Sequence, residues 1–180
     1  MSEIYRYRWL CVLLSCFFLI GLFASPVMAE EVIDKNDKDA PAAYWVDPVS
    51  GEKIDTVQVP IGGETIIRLQ AEIPEDKTLK AYSFGLLLEE DAGIEITDVA
   101  KVEDAKLPPM NINPNDDGEV FVNAFTMKGV EGEATISVVD VSIKGIVQGT
   151  SYLSTLFTAY GSNAADQFLP EIEPLTVEVK

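Results

Sequence analysis

Histidine is missing from all 180 residues of this chain, and cysteine occurs only twice, at Cys11 and Cys16. Without histidine, the chain lacks the side chain most often used as a general base near neutral pH and a common zinc ligand. Both cysteines lie in an apolar N-terminal run, so neither a thiol nucleophile nor a disulfide is expected in the folded part. These absences weigh against an enzyme, and they require the fold to be held together by its core.

Long apolar runs are also scarce, and the one near the N-terminus has the pattern of an export signal. Arg6 and Arg8 form a short positive region, residues 9–24 are apolar, and small residues precede a predicted cleavage after Ala29. The run is shorter than the roughly 20 residues that cross a bilayer as a helix, which favours cleavage over an uncleaved membrane anchor. A lipoprotein signal is a weaker interpretation, because the most apolar part of the run follows Cys16. We therefore expect a secreted or periplasmic protein.

Positive charge is the third deficit, with 13 Lys and Arg against 30 Asp and Glu and a formal net charge of −17. Phosphate backbones are bound through clusters of Lys and Arg, so a nucleic-acid partner is not expected. The acidity itself is typical of a soluble exported protein and does not by itself indicate a cationic ligand.

The remaining chain divides into a leader and one domain. Residues 30–42 (EEVIDKNDKDAPA) are charged and without a sustained period, which predicts a flexible acidic leader. Residues 43–180 are enough for a single domain with one core.

The domain is organised around residues 65–89, where two segments alternate between apolar and polar positions. In TIIRLQAEI the side chains of Ile67, Leu69, Ala71 and Ile73 fall on one face, and in AYSFGLLLE those of Tyr82, Phe84, Leu86 and Leu88 do. The turn-forming PEDKTLK joins them. Further short strands are predicted near residues 44–46, 57–59, 94–99, 119–127, 134–143, 151–160 and 175–179, with an irregular stretch at 103–118 and Pro60 marking an edge. About eight or nine strands without a helical period predict an all-β sandwich.

The order of these segments resembles that of a cohesin-type domain. The resemblance covers residues 44–179 and includes GGETIIRLQAEIP, AYSFGLLLEED, DDGEVFVNAF, ATISVVDVSIKG, GTSYLSTLFTAYGSNAADQFLP and LTVEV. It implies an antiparallel jelly-roll β-sandwich, related in architecture to carbohydrate-binding modules. It also implies a secreted, non-catalytic module that binds a protein partner, which in cellulosomes is a dockerin. The chain contains no dockerin and no attached catalytic module, so a cellulosomal role does not follow.

A pair of carboxylates is the remaining catalytic option. Glu89, Glu90 and Asp91 are adjacent in sequence, and neighbours on a strand point to opposite faces. They therefore do not predict a facing acid and base of the kind that hydrolyses glycosidic bonds, and a solvated strand end explains them.

Residues 113–118 (NPNDDG) resemble the opening of a calcium loop. Asn113, Asn115 and Asp117 supply oxygen ligands at alternate positions, a glycine follows, and Glu119 could offer its carbonyl. The position of the closing bidentate carboxylate is occupied by Ala124. A tight turn entering a strand explains the same residues without calcium, so no cofactor is required.

Carbohydrate binding would need exposed aromatic rings. The alternation predicts that Tyr82, Phe84, Phe121, Phe125 and Phe157 are buried. Tyr160 and Phe168, on either side of the GSNAADQ segment, are then the best candidates for exposed binding aromatics, although the favoured interpretation is that they cover the core.

A protein-binding module and a self-assembling envelope subunit differ in which surface they expose. Protein docking needs an exposed apolar patch on a sheet face, and the candidates are the outer faces of the 65–90 pair and of EVFVNAF at residues 119–125. Self-assembly needs a long unpaired edge strand. We expect a monomer that binds a protein partner.

Overall fold

The computed structural model describes residues 41–89, 91–103, 105–115, 119–132 and 134–180. The predicted signal segment and nearly all of the predicted leader lie outside the described residues.

Twelve strands are present in this part of the chain, and it contains no helix. They are β1 (Ala43–Val46), β2 (Lys53–Ile54), β3 (Thr56–Val59), β4 (Glu64–Ile73), β5 (Thr78–Leu88), β6 (Ile94–Ala100), β7 (Asn111–Pro114), β8 (Val120–Glu131), β9 (Ala134–Gly145), β10 (Gly149–Asn163), β11 (Asp166–Gln167) and β12 (Leu175–Val179). The search for an apolar helix long enough to cross a membrane, made over these residues, found none.

The strands form two sheets. The five-stranded sheet has the order β2-β1-β4-β9-β6, and the seven-stranded sheet has the order β3-β12-β10-β5-β8-β7 with β11 added to β10. All pairs are antiparallel except β3 with β12. The predicted all-β sandwich is confirmed, and β3, which Pro60 follows, lies at an edge as predicted.

The two organising strands lie in opposite sheets. Ile67, Leu69 and Ala71 of β4 are at most 1% exposed, and Tyr82, Phe84 and Leu86 of β5 are likewise buried, so the predicted alternation is confirmed. The connection between them turns at Pro74, whose carbonyl accepts a hydrogen bond of 3.0 Å from the Lys77 amide. The chain thus crosses from one sheet to the other here, and both strands face one core.

The core lies between the sheets and is aliphatic with one aromatic row. Trp45, Leu69, Val139 and Leu153 are all buried. A row of ring contacts runs from Phe84 to Phe157, then Tyr160, then Phe168, with successive centroids 5.2, 5.5 and 5.2 Å apart. Burial of this kind contributes roughly 25 cal/mol for each Å² of apolar surface removed from water.

The predicted irregular stretch at 103–118 is wrong in part. Its residues 111–114 form β7, which pairs with β8 through Asn111↔Asn123 to Pro114↔Val120. Pro114 cannot donate a backbone hydrogen bond, but β7 is an edge strand and Pro114 is its last residue, so the loss is tolerated. The two-residue strands β2 and β11 are too short to leave a period in the sequence.

One inward position carries an unused polar group. Thr155 lies on β10 between the buried Leu153 and Phe157, and its buried Oγ1 has no hydrogen-bond partner among the described residues. A buried hydroxyl without a partner costs on the order of 1–3 kcal/mol.

We expect Thr155→Val to raise the free energy of unfolding by about 1 kcal/mol, because valine keeps the branched shape and removes the unpaired hydroxyl. Urea denaturation at equilibrium measures this. Thr158→Val is the matched control on the same strand. The Thr158 hydroxyl donates a hydrogen bond of 3.3 Å to the Ser83 carbonyl, so its removal should not stabilise the protein. Equal effects of the two substitutions would contradict the interpretation.

Candidate protein-docking face

The outer surface of the seven-stranded sheet carries a group of exposed apolar side chains, which we call the apolar face. β8 contributes Phe121, Phe125 and Met127, and β10 contributes Tyr152 and Leu156. Phe121 is 44%, Phe125 56% and Leu156 57% exposed. They point outward because their strand neighbours, such as Val122 and Leu153, are committed to the core.

Small residues lie between these two rows. β5 separates β8 from β10, and its outward residues are Ala81, Ser83 and Gly85, followed by Leu87 at one end. Phe121 and Leu156 are both register partners of Gly85, one on each side. The apolar face is therefore a shallow trough with a floor of small residues and apolar walls.

Gly85 sets the position of the Phe121 ring. A Cβ atom at residue 85 would lie 3.3 Å from Phe121 Cε1, which is closer than an ordinary van der Waals contact. The ring leans over the glycine, and Leu87 Cδ2 would lie 3.7 Å from the same Cβ atom, so the absence of a side chain at this position leaves room for both.

The outer surface of the five-stranded sheet is polar by contrast. Arg68 donates two hydrogen bonds to the Asp140 carboxylate, Nε–Oδ1 at 2.7 Å and Nη2–Oδ2 at 2.9 Å, and this raises the pKa of Arg68. Gln70 donates to Ser137 Oγ beside them. Ile66 is the exposed large apolar residue of β4, at 52%. Two of the surfaces predicted for docking can therefore be compared. The outer face of the β8 segment EVFVNAF is apolar, and the outer face of β4 is largely polar.

The prediction that Phe121 and Phe125 are buried is wrong. Apolar residues occupy both parities of β8, and the structure buries Val120, Val122 and Ala124 instead. The pattern of alternation cannot show which face of such a strand is buried, because both faces carry apolar residues.

The prediction of Tyr160 and Phe168 as exposed binding aromatics is also corrected. Tyr160 has no exposed surface, its hydroxyl donates to the Glu72 carbonyl at 3.1 Å, and burial raises its pKa. Phe168 is half-buried and meets the Tyr160 ring edge-on at 90°. These rings cover the core, so Tyr160 offers no face to a sugar.

The predicted calcium ligands lie on either side of the turn between β7 and β8. Asn113 is exposed on β7, and Asp117 lies outside the described residues. Asn115 and Glu119 bind each other: the Asn115 Oδ1 accepts from the Glu119 amide at 2.9 Å, and its Nδ2 donates to Glu119 Oε2 at 2.8 Å. A backbone bond from the Asn115 amide to the Glu119 carbonyl, also 2.9 Å, closes the same turn.

Calcium binding at this turn stays a prediction to be tested. Protein groups already close the turn, so we expect the midpoint of thermal unfolding to be unchanged when a chelator replaces millimolar calcium. A midpoint that falls on chelation, and falls less in Glu119→Gln, would instead establish a calcium site here, since bound ligand stabilises the folded state. Within the described residues, no group of three His, Cys, Asp or Glu side chains is placed to hold a metal ion.

Comparison with protein-family models gave no match, and comparison with curated proteins gave none either. Solved structures do match, and those described here have low sequence identity to this chain. A non-cellulosomal cohesin from Archaeoglobus fulgidus superposes with a TM-score of 0.56 and 10% identity, covering 78% of this chain and 91% of that one. A cohesin module of a family 33 glycoside hydrolase from Clostridium perfringens gives 0.58 and 13%, covering 78% and 97%.

A third similar structure is a type I cohesin–dockerin complex from Clostridium thermocellum, with a TM-score of 0.57, 12% identity and coverage of 77% and 99%. The similarity thus spans nearly the whole of these domains and most of this chain. It agrees with the two-sheet architecture described above. The described part of this chain has the cohesin fold.

Proposed function

We propose that this protein is an exported, non-catalytic binding module that docks a dockerin-type protein partner on the apolar face. The observation that carries the proposal is the trough of Ala81, Ser83 and Gly85 between the exposed rows of β8 and β10. Contiguous exposed apolar surface on a soluble domain marks an interaction site.

The shape of the trough favours a helical partner. An amphipathic helix binds by placing its apolar side chains into a groove between flanking hydrophobic residues. Phe121 and Leu156 would form the walls at the centre of such a contact, with Phe125 and Tyr152 farther out. Exposed aromatic and aliphatic anchors of this kind supply most of the binding free energy in protein interfaces.

The similar structures agree with this assignment. The Clostridium thermocellum structure is a complex of a cohesin with a dockerin. The Archaeoglobus fulgidus protein is described as a non-cellulosomal cohesin, so the fold also occurs outside cellulosomes. The predicted signal segment at residues 1–29 supports export, and we propose that the module acts at the cell envelope or outside the cell.

Replacing Phe121 and Leu156 together by serine should weaken partner binding at least tenfold, about 1.4 kcal/mol, because both walls of the trough are removed. Isothermal titration calorimetry against a panel of purified dockerins measures this. The thermal midpoint should change little, since both side chains are about half exposed.

The matched control is Ile66→Ser, which removes an equally exposed aliphatic side chain from the polar outer surface of the five-stranded sheet. It should leave the affinity unchanged. The proposal fails if no dockerin in the panel binds the unaltered protein, or if Ile66→Ser is as harmful as the double substitution.

Gly85→Ala separates binding from stability. The added methyl group fills the trough floor and pushes the Phe121 ring, so the affinity should fall several-fold. Folding should not suffer, because alanine restricts the unfolded chain more than glycine does. A loss of affinity that only accompanied a lower thermal midpoint would point to damage of the fold.

The same face supports a second candidate function. Phe121, Phe125 and Tyr152 are exposed on one sheet surface, and exposed rings can stack on sugars. Affinity electrophoresis in gels containing cellulose, xylan or chitin tests this. Retardation that Phe121→Ser abolishes would favour carbohydrate binding over a protein partner, and unchanged mobility in all three gels would exclude it for these polymers.

A further inference from the structure

The two lateral sides of the sandwich differ in how the chain connects their edge strands. We call the closed side the one with a direct connection, and the open side the one where residues 101–110 form the connection and a groove lies between the edges. On the closed side the edge strands β2 and β3 follow each other directly, with Asp55 alone between them. On the open side the edges are β6 of the five-stranded sheet and β7 of the seven-stranded sheet. Among the described residues, β6 pairs only with β9 and β7 only with β8. Each therefore presents an unused row of backbone groups.

A groove lies between these two edges. Its two adjoining stretches measure about 320 Å³ and about 450 Å³, and both are lined by Ile96, Pro114 and Val120. Ile112 and Leu88 extend the apolar floor, and both are only partly buried where they pack against the core. Apolar side chains at the border of the core are thus partly accessible along this side.

The charged residues that line the groove are all acidic. They are Glu89, Asp91, Glu95, Asp98 and Glu119. Among the residues that the structure describes, no Lys or Arg lines either stretch, and Lys144, the register partner of Glu95 on β9, is not part of the lining. The apolar face described above has a different character, since its centre is formed by uncharged side chains.

We propose that this groove binds an extended, basic segment of a partner protein, with its aliphatic side chains on the floor and its Lys or Arg side chains against the five carboxylates. An extended segment suits the site because it can pair with the free edge of β6, while alternate side chains enter the groove. Complementary charge speeds association and excludes acidic competitors.

Charge also identifies the source of the occupant. Residues 30–42 of this chain contain five acidic and two basic side chains, so their own charge opposes binding at this rim. A second copy of the chain carries a net charge of −17 and is opposed in the same way. The occupant is therefore a segment of a different, basic protein, and the groove is separate from the proposed dockerin-binding face.

The test uses the protein with a synthetic peptide, Lys-Val-Lys-Ile-Lys-Val-Lys with blocked termini, and the same peptide with Glu in place of Lys. Amide chemical shifts should change along β6, β7 and Val120 with the basic peptide and not with the acidic one. The affinity should fall at about 0.5 M salt, where exposed charges are largely screened.

A triple variant, E89Q/E95Q/D98N, removes three rim charges and should lower the affinity at least tenfold. The control triple variant, E52Q/D55N/E173Q, changes the net charge equally at exposed positions near the closed side and should leave binding intact. The F121S/L156S variant should also retain binding, which keeps this inference independent of the proposed function.

Equal losses in the two triple variants would overturn the inference, because binding would then reflect overall charge. So would the absence of shift changes, or changes confined to Phe121 and Leu156. Shifts along β6 that depend on protein concentration without peptide would assign the groove to a second copy instead.

Discussion

The whole structure depends on the packing of inward side chains between the two sheets. Leu69 and Val139 of one sheet and Phe84 and Phe157 of the other are all nearly or wholly buried. Both cysteines of the chain lie in its first 16 residues, so this contact has to hold the domain without help from a covalent cross-link. Because side chains alternate along a strand, each inward residue also commits its neighbours to the surface. Packing of the interior thereby decides which side chains are available for recognition.

The two outer surfaces consequently differ in chemistry. On the five-stranded sheet, Arg68, Asp140, Gln70 and Ser137 satisfy one another across strands, which leaves little to attract a partner. On the seven-stranded sheet, Phe121 and Leu156 lie on either side of Gly85, and the Phe121 ring and the Leu87 side chain, both apolar, approach its outer side. The polar groups of the first surface are already paired, whereas the second has apolar side chains that a partner would remove from water.

The open side adds a third kind of surface. Asp55 alone joins β2 to β3 on one side, whereas residues 101–110 join β6 to β7 on the other, where a groove lies between the two edges. There the apolar interior meets a rim of carboxylates, including Glu95 and Asp98. A sandwich built in this way can offer an apolar trough to one partner and an acidic groove to another without any overlap between the sites.

Sequence alone determined the all-β class, the interior faces of β4 and β5, and the edge position of Pro60, because strict alternation and a missing backbone donor are local properties. It did not determine the outer surfaces. β8 carries apolar residues on both of its faces. Only the position of the opposing sheet therefore decided that Val122 is buried and Phe121 is exposed. Tyr160 lies beside a polar segment, yet a register shift between Phe157 and Ala159 turns it into the core, where it reaches the Glu72 carbonyl. Burial is a relation between residues distant in sequence. The sequence therefore indicated the β8 segment as one candidate docking surface without showing which of its rings are exposed, and the acidic groove emerged only when the two sheets were placed together.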